Sequence, residues 1–126
     1  MKIYICNAFS LSMLDRDEQT GTPAGYIPAF SDRILATARV PRPCTDPAAF
    51  LRCWERMADT EIVSAIGHAD VAAIFSATLK ASFPINRVTV KLSKDDVALI
   101  GQYIGPRLPE GVTTLPEGAT IEWWTV

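Results

Sequence analysis

Lys2-Ile3-Tyr4-Ile5-Cys6-Asn7-Ala8 is the stretch from which the rest of the chain is read. It begins in alternation and continues as an apolar run, a spacing that predicts a strand. Helical spacing appears downstream in Phe50, Leu51, Trp54 and Met57. Thr45-Asp46-Pro47 precedes it, where Thr45 or Asp46 can cap and Pro47 suits the first helical position. A second helical stripe, Val71, Ala72, Ile74, Phe75 and Leu79, follows Ile66-Gly67-His68, and Pro84 breaks the chain beyond it. Thr120 to Val126 reads as a closing strand. Trp123 and Trp124 point to opposite faces there, one into the core and the other exposed or at a subunit interface.

Between these segments the reading is coarser. Phe9 to Leu14 predicts a turn into a short helix with Ser10 as a cap. Residues 15–32, rich in Asp, Gly, Thr and Pro, read as an inserted surface loop. Ile34 to Val40 predicts a strand ended by Pro41-Arg42-Pro43, because proline removes a ladder donor. Asp59 to Ala65 reads as a loop. Val88, Val90 and Leu92 alternate with Arg87, Thr89 and Lys91, as in a half-buried strand. Ser93-Lys94-Asp95-Asp96 looks like a helix start, with a serine cap and first-turn acids. That helix is expected to run through Val97, Leu99, Ile100 and Tyr103 and to stop at Gly105-Pro106. Strands and helices interleave, so the expected class is α/β: one mixed β-sheet flanked by α-helices, a compact single domain over 1–126.

Composition narrows the function classes. At 126 residues, 48% hydrophobic and 21% charged, the chain fits one globular core. Lys+Arg number 12 and Asp+Glu 14, a net charge of -2. Duplex binders usually carry a basic excess, so a small anionic ligand fits better than a long nucleic acid. No apolar stretch approaches the roughly 20 residues of a membrane span. Met1 leads straight into a strand, with no leader-like cleavage site, so the expected compartment is the cytoplasm. Cys6, Cys44 and Cys53 form no disulfide framework. With a single histidine and no Cys-x-x-Cys pair, no metal site is expected. Cys6 is expected to be a small core hydrophobe.

Several residues are candidates for chemistry. In Ser64-Ala65-Ile66-Gly67-His68, Gly67 can take positive φ or allow close backbone approach, and the helix start offers free N–H groups to a phosphate. The alternative is a tight turn beside a surface histidine. Asn86 can bond a base edge and Arg87 a phosphate, or Arg87 is simply a strand's solvent face. Arg107-Leu108-Pro109-Glu110-Gly111 offers Arg107 to phosphate and Glu110 to a ribose hydroxyl or an imidazole. It is otherwise an ordinary polar turn. Asn7 and Ser10 lie past the first strand, where open α/β sheets collect ligands, or they only cap the next turn.

The order of these segments is more telling than any one of them. Asn7-Ala8-Phe9-Ser10-Leu11-Ser12-Met13-Leu14, then Ser64 to His68, then Asn86 to Leu92, then Arg107 to Gly111 resembles the viral ring nuclease family. That family includes type III anti-CRISPR proteins. The resemblance implies a homodimer holding cyclic tetra-adenylate across its two-fold axis and cleaving it without metal or cofactor. It implies His68, Glu110 and Arg107 as catalytic residues. Asn7, Ser10, Gly67, Arg87 and Gln102 are implied as ligand-binding residues, with Gln102 reaching from the helix before the loop. A virus-encoded member would act in the host cytoplasm. This sequence is longer than the compact viral members between Leu14 and His68, mostly within 15–32. The alternatives are a non-catalytic cyclic-oligoadenylate sponge and a small nucleic-acid-binding regulator.

Overall fold

The computed structural model describes residues 1–9, 13, 41–57, 59–93 and 95–126. The expected loop at 15–32, the expected strand at 34–40 and Ser10 lie outside the described residues. Five strands form one mixed sheet: β1 (Lys2–Cys6), β2 (Arg42–Pro43), β3 (Glu61–Ala65), β4 (Val97–Ile104) and β5 (Thr120–Thr125). Their order is β2-β5-β4-β1-β3. β1 runs parallel to both β3 and β4, with Cys6 level with Ala65 on one side and Ile100 on the other. β5 is antiparallel to β4 and to β2. Two helices complete the described elements, α1 (Pro47–Glu55) and α2 (Ala69–Leu79).

Strand alternation sorts the sheet into two faces. Ile3, Ile5, Leu99 and Trp123 join Leu51 of α1 and Ala72, Ile74, Phe75 and Leu79 of α2 in one core cluster. Cys6, Ala98 and Ile100 point the other way and meet Val90 and Leu92, with Phe9, Met13 and Trp124 packed at the margin. Both helices therefore cover one face, and extended chain covers part of the other. Burial pushes the Cys6 thiol up to about 12, which suits its expected place in the core. Among the described residues, no helix is long and apolar enough to cross a membrane.

Each helix has a local cause and a tertiary one. Nine residues are too few for a stable isolated helix. α1 starts because the Asp46 carboxylate accepts the Ala49 N–H at 3.0 Å, with proline in the first turn. It persists because Leu51 is buried, a burial that contributes about 1.5–3 kcal/mol. α2 ends in the left-handed residue Lys80, φ 55°. Beyond it, Ser76 Oγ accepts the Phe83 N–H at 3.0 Å and fixes the turn.

Four sequence expectations need correction. Residues 61–65 form the edge strand β3, not a loop. Pro41-Arg42-Pro43 does not end pairing: Arg42 and Pro43 pair with Thr125 and Trp124 on the sheet's other edge, where a missing N–H is tolerated. Residues 88–91 form no strand. Val90 and Leu92 are buried by packing on the open face, and the Leu92 N–H is satisfied by the Met13 carbonyl at 2.7 Å. The expected helix from Ser93 to Tyr103 is instead a turn followed by β4. Ser93 donates through its N–H and its hydroxyl to Asp96 Oδ2, and Asp96 Oδ1 accepts the Lys2 N–H. The segment that resembles a helix cap thus joins the amino ends of β1 and β4.

One glycine is required by packing. Phe75 and Trp123 stack tilted at 4.8 Å directly over β4. A Cβ on Gly101 would lie 2.5 Å from Phe75 and 2.8 Å from Trp123.

Candidate functional site

Register places most of the candidate residues at one end of the sheet. Because Cys6, Ala65 and Ile100 are level, Asn7 follows β1, His68 lies three residues past the end of β3, and Gln102 sits two residues beyond Ile100 on β4. The loop carrying Arg107 and Glu110 leaves β4 at that same end. These are the carboxyl ends of three parallel strands, the edge at which open α/β sheets present ligand-binding loops.

Two groups form within this end. The first is built on β3 and α2. His68 is exposed and occupies the N-cap position of α2, where its side chain makes no capping hydrogen bond. The free N–H groups of the first turn therefore remain for another acceptor, while Asp70 adds an acid to that turn. Arg87 Nε donates to the Gly67 carbonyl at 2.9 Å, which ties its guanidinium to the residue that precedes His68. The remaining guanidinium N–H groups have no partner among the described residues. Of the two roles open to Gly67, positive φ is not taken. That conformation belongs to Gly111 (84°) and Gly118 (80°). Among the described residues, a Cβ on Gly67 would meet only Arg87 Cγ, at 3.6 Å.

The second group lines a pocket of about 420 Å³ on the open face. Asn7 and Gln102 supply two amides, and Phe9, Ile100 and Trp124 supply apolar surface. Gln102 reaches it from strand β4, not from a helix. Phe9 was not singled out in the sequence, and of Trp123 and Trp124, which the two-residue period sends to opposite faces, it is Trp124 that lines the pocket. Amides together with apolar and aromatic lining suit a flat polar heterocycle that can stack and bond through its edge.

Arg107 and Glu110 are exposed on the β4–β5 loop. Leu108 and Val112 anchor that loop to the helix-side core, and the Tyr103 hydroxyl donates to the Pro106 carbonyl. Among the described residues, no hydrogen bond or ion pair joins Arg107 or Glu110 to His68. Asn86, read from sequence as a base-edge ligand, spends its amide nitrogen on the Ser64 carbonyl at 2.7 Å. Among the described residues, no group of His, Cys, Asp or Glu side chains is placed to hold a metal ion.

This arrangement, a mixed five-stranded sheet with candidate residues on loops at its carboxyl ends, is that of a small α/β protein. Residues 49–122 match the model of the STIV B116-like family, and the chain belongs to that family. Its fold is similar to that of B116 of Sulfolobus turreted icosahedral virus, with a TM-score of 0.68 at 23% identity, covering 99% of this chain and 97% of that one. No curated protein matches the chain.

Proposed function

We propose that this protein is a ring nuclease that binds cyclic tetra-adenylate as a homodimer and cleaves it to linear di-adenylate products. The observation that carries the reading is the uncapped, exposed His68 at the start of α2, with Arg87 tied to the carbonyl of the residue before it, Gly67. Imidazole, guanidinium and free helix N–H groups are three donors suited to a phosphodiester. The order of the sequence motifs supports the same ligand. The pocket lined by Asn7, Gln102 and Trp124 suits its adenine bases.

The chemistry follows from the substrate. Each ribose 2′-oxygen lies next to its own 3′-phosphodiester, so proximity supplies much of the rate. The 2′-oxygen bonds to phosphorus, the bond from phosphorus to the 5′-oxygen breaks, and a 2′,3′-cyclic phosphate results. The 2′-hydroxyl proton leaves to solvent or to Glu110. The 5′-oxygen takes its proton from His68, acting as imidazolium. Arg87, Arg107 and the first-turn N–H groups of α2 stabilise the charge that builds on the phosphate oxygens. Two protomers related by a two-fold axis present two such sites to opposite sides of a four-membered ring.

The test is incubation of the protein with labelled cyclic tetra-adenylate in chelator, followed by separation of ring from linear products. Wild type is expected to convert the ring. His68→Ala is expected to lose about 10²–10⁴-fold in rate with an unchanged melting temperature, because His68 is exposed. A wild type that binds the ring and leaves it intact is a sponge. One that binds duplex with steep salt dependence instead is a nucleic-acid regulator. Either outcome refutes the proposal.

A further inference from the structure

Among the described residues, β3 is an edge strand, and no other strand pairs with its outer edge. Its carboxyl end is held instead by residues 84–87. Ser64 Oγ donates to the Pro84 carbonyl at 2.6 Å. Asn86 Nδ2 donates to the Ser64 carbonyl at 2.7 Å, and the Asn86 N–H donates to the Ile66 carbonyl at 2.9 Å. Arg87 Nε then takes the Gly67 carbonyl. Three carbonyls on the way to His68, those of Ser64, Ile66 and Gly67, are thus satisfied from one short stretch of chain. The amide orientation of Asn86 follows from its partner: only the NH₂ end can face a carbonyl.

We infer that Asn86 is a positioning residue, holding the Ser64–His68 turn and the Arg87 side chain in one fixed relation so that imidazole and guanidinium meet the same phosphate. The inference rests on the ring-nuclease reading. Asn86 is half-buried behind the turn, and its amide nitrogen is already engaged, so it acts through its neighbours. Backbone carbonyls at a strand end otherwise turn to water, and the turn between β3 and α2 is then free to move. A catalytic group displaced by about 1 Å costs on the order of 100-fold in rate.

The experiment compares wild type with Asn86→Ala and Ser64→Ala, which remove separate ties in the same bracket. Thr89→Ala on the exposed stretch beyond it serves as control. Cleavage of cyclic tetra-adenylate gives kcat and KM, and ¹⁵N relaxation gives amide order parameters for Gly67 and His68. The expected result is a fall in kcat of roughly 10- to 100-fold with KM changed less, and less in Ser64→Ala than in Asn86→Ala. Order parameters at Gly67 and His68 are expected to drop from about 0.85 towards 0.6, with the interior of α2 unchanged. Unaltered order parameters in both variants overturn the inference. So does loss of folding in both, which would assign the bracket to the fold and not to the site. A wild type that does not cleave refutes the ring-nuclease reading alone, and the relaxation measurement still decides whether Asn86 positions the turn.

Discussion

Replacing Gly101 with alanine tests whether the sheet is packed as tightly as its geometry states. The added carbon would stand 2.5 Å from Phe75 Cζ, 2.9 Å from Phe75 Cε2 and 2.8 Å from Trp123 Cζ3. Carbon atoms in contact prefer about 3.5–4.0 Å, so both rings must give by nearly an ångström. Neither is the free end of a flexible chain, because Phe75 is 1% exposed and Trp123 8%. Overpacking of this kind costs about 1–3 kcal/mol. Separating the stacked pair adds about 0.5–1.5 kcal/mol, and alanine returns about 0.5–1 kcal/mol of backbone entropy. The net loss is roughly 0.5–4 kcal/mol by these terms. With an unfolding entropy of about 2.1 cal/mol/K per residue, that lowers Tm by roughly 2–15 °C. Calorimetry and urea titration of the purified protein measure it. Phe75→Leu in the same chain should restore part of the loss, with a coupling above about 0.5 kcal/mol. A variant as stable as wild type, or strict additivity with Phe75→Leu, refutes the packing argument.

Further predictions follow from the clasp, the cap and the pocket. Burial opposes ionisation of Asp96, but hydrogen bonds from Ser93 and the Lys2 N–H outweigh it and hold the carboxyl below its ordinary value. Its contribution is therefore present above an unfolded pKa of about 3.9 and lost as pH falls through the folded one. Asp96→Asn should destabilise by roughly 2–3 kcal/mol at neutral pH, and the gap to wild type should close in acid denaturation profiles. Asp46→Ala removes the α1 cap and should cost about 1 kcal/mol in urea titration. Trp124→Ala, made in the His68→Ala background and followed by calorimetric titration with cyclic tetra-adenylate, should weaken binding by about 1–3 kcal/mol if a base stacks there. Unchanged affinity removes Trp124 from the site.

The legible parts of the fold were those with one dominant signal. β1, β5 and both helices announced themselves through period and caps, and Asp46 and Pro47 stand where their chemistry places them. β4 was misread because Val97-Ala98-Leu99-Ile100 is apolar throughout, and such a run fits a doubly covered strand as well as a helix. Ser93 and the acids after it then tipped the reading towards a helix cap. Gly101 directly after that run, and the β-branched Val97, Ile100 and Ile104 along the segment, were the evidence for a strand. Residues 88–92 erred in the opposite sense: alternation reports that one side is buried, and Val90 and Leu92 achieve that without a ladder. At the candidate site, the two groups at the sheet's end depend on β3 and β4 lying on either side of β1, a pairing that no local pattern states. The shared pocket of Asn7, Gln102 and Trp124 was illegible for the same reason.

The Asp96 clasp has an evolutionary consequence. It fastens β1 to β4 at their amino ends, whereas His68, Gln102 and the Arg107 loop stand at the carboxyl ends. The five residues of β1, at about 3.3 Å each, put roughly 16 Å between the two. Side chains at the open end can therefore be exchanged without touching the bonds that register the strands. Libraries randomised there should retain folded members at high frequency, and libraries randomised around Ser93 and Asp96 should not.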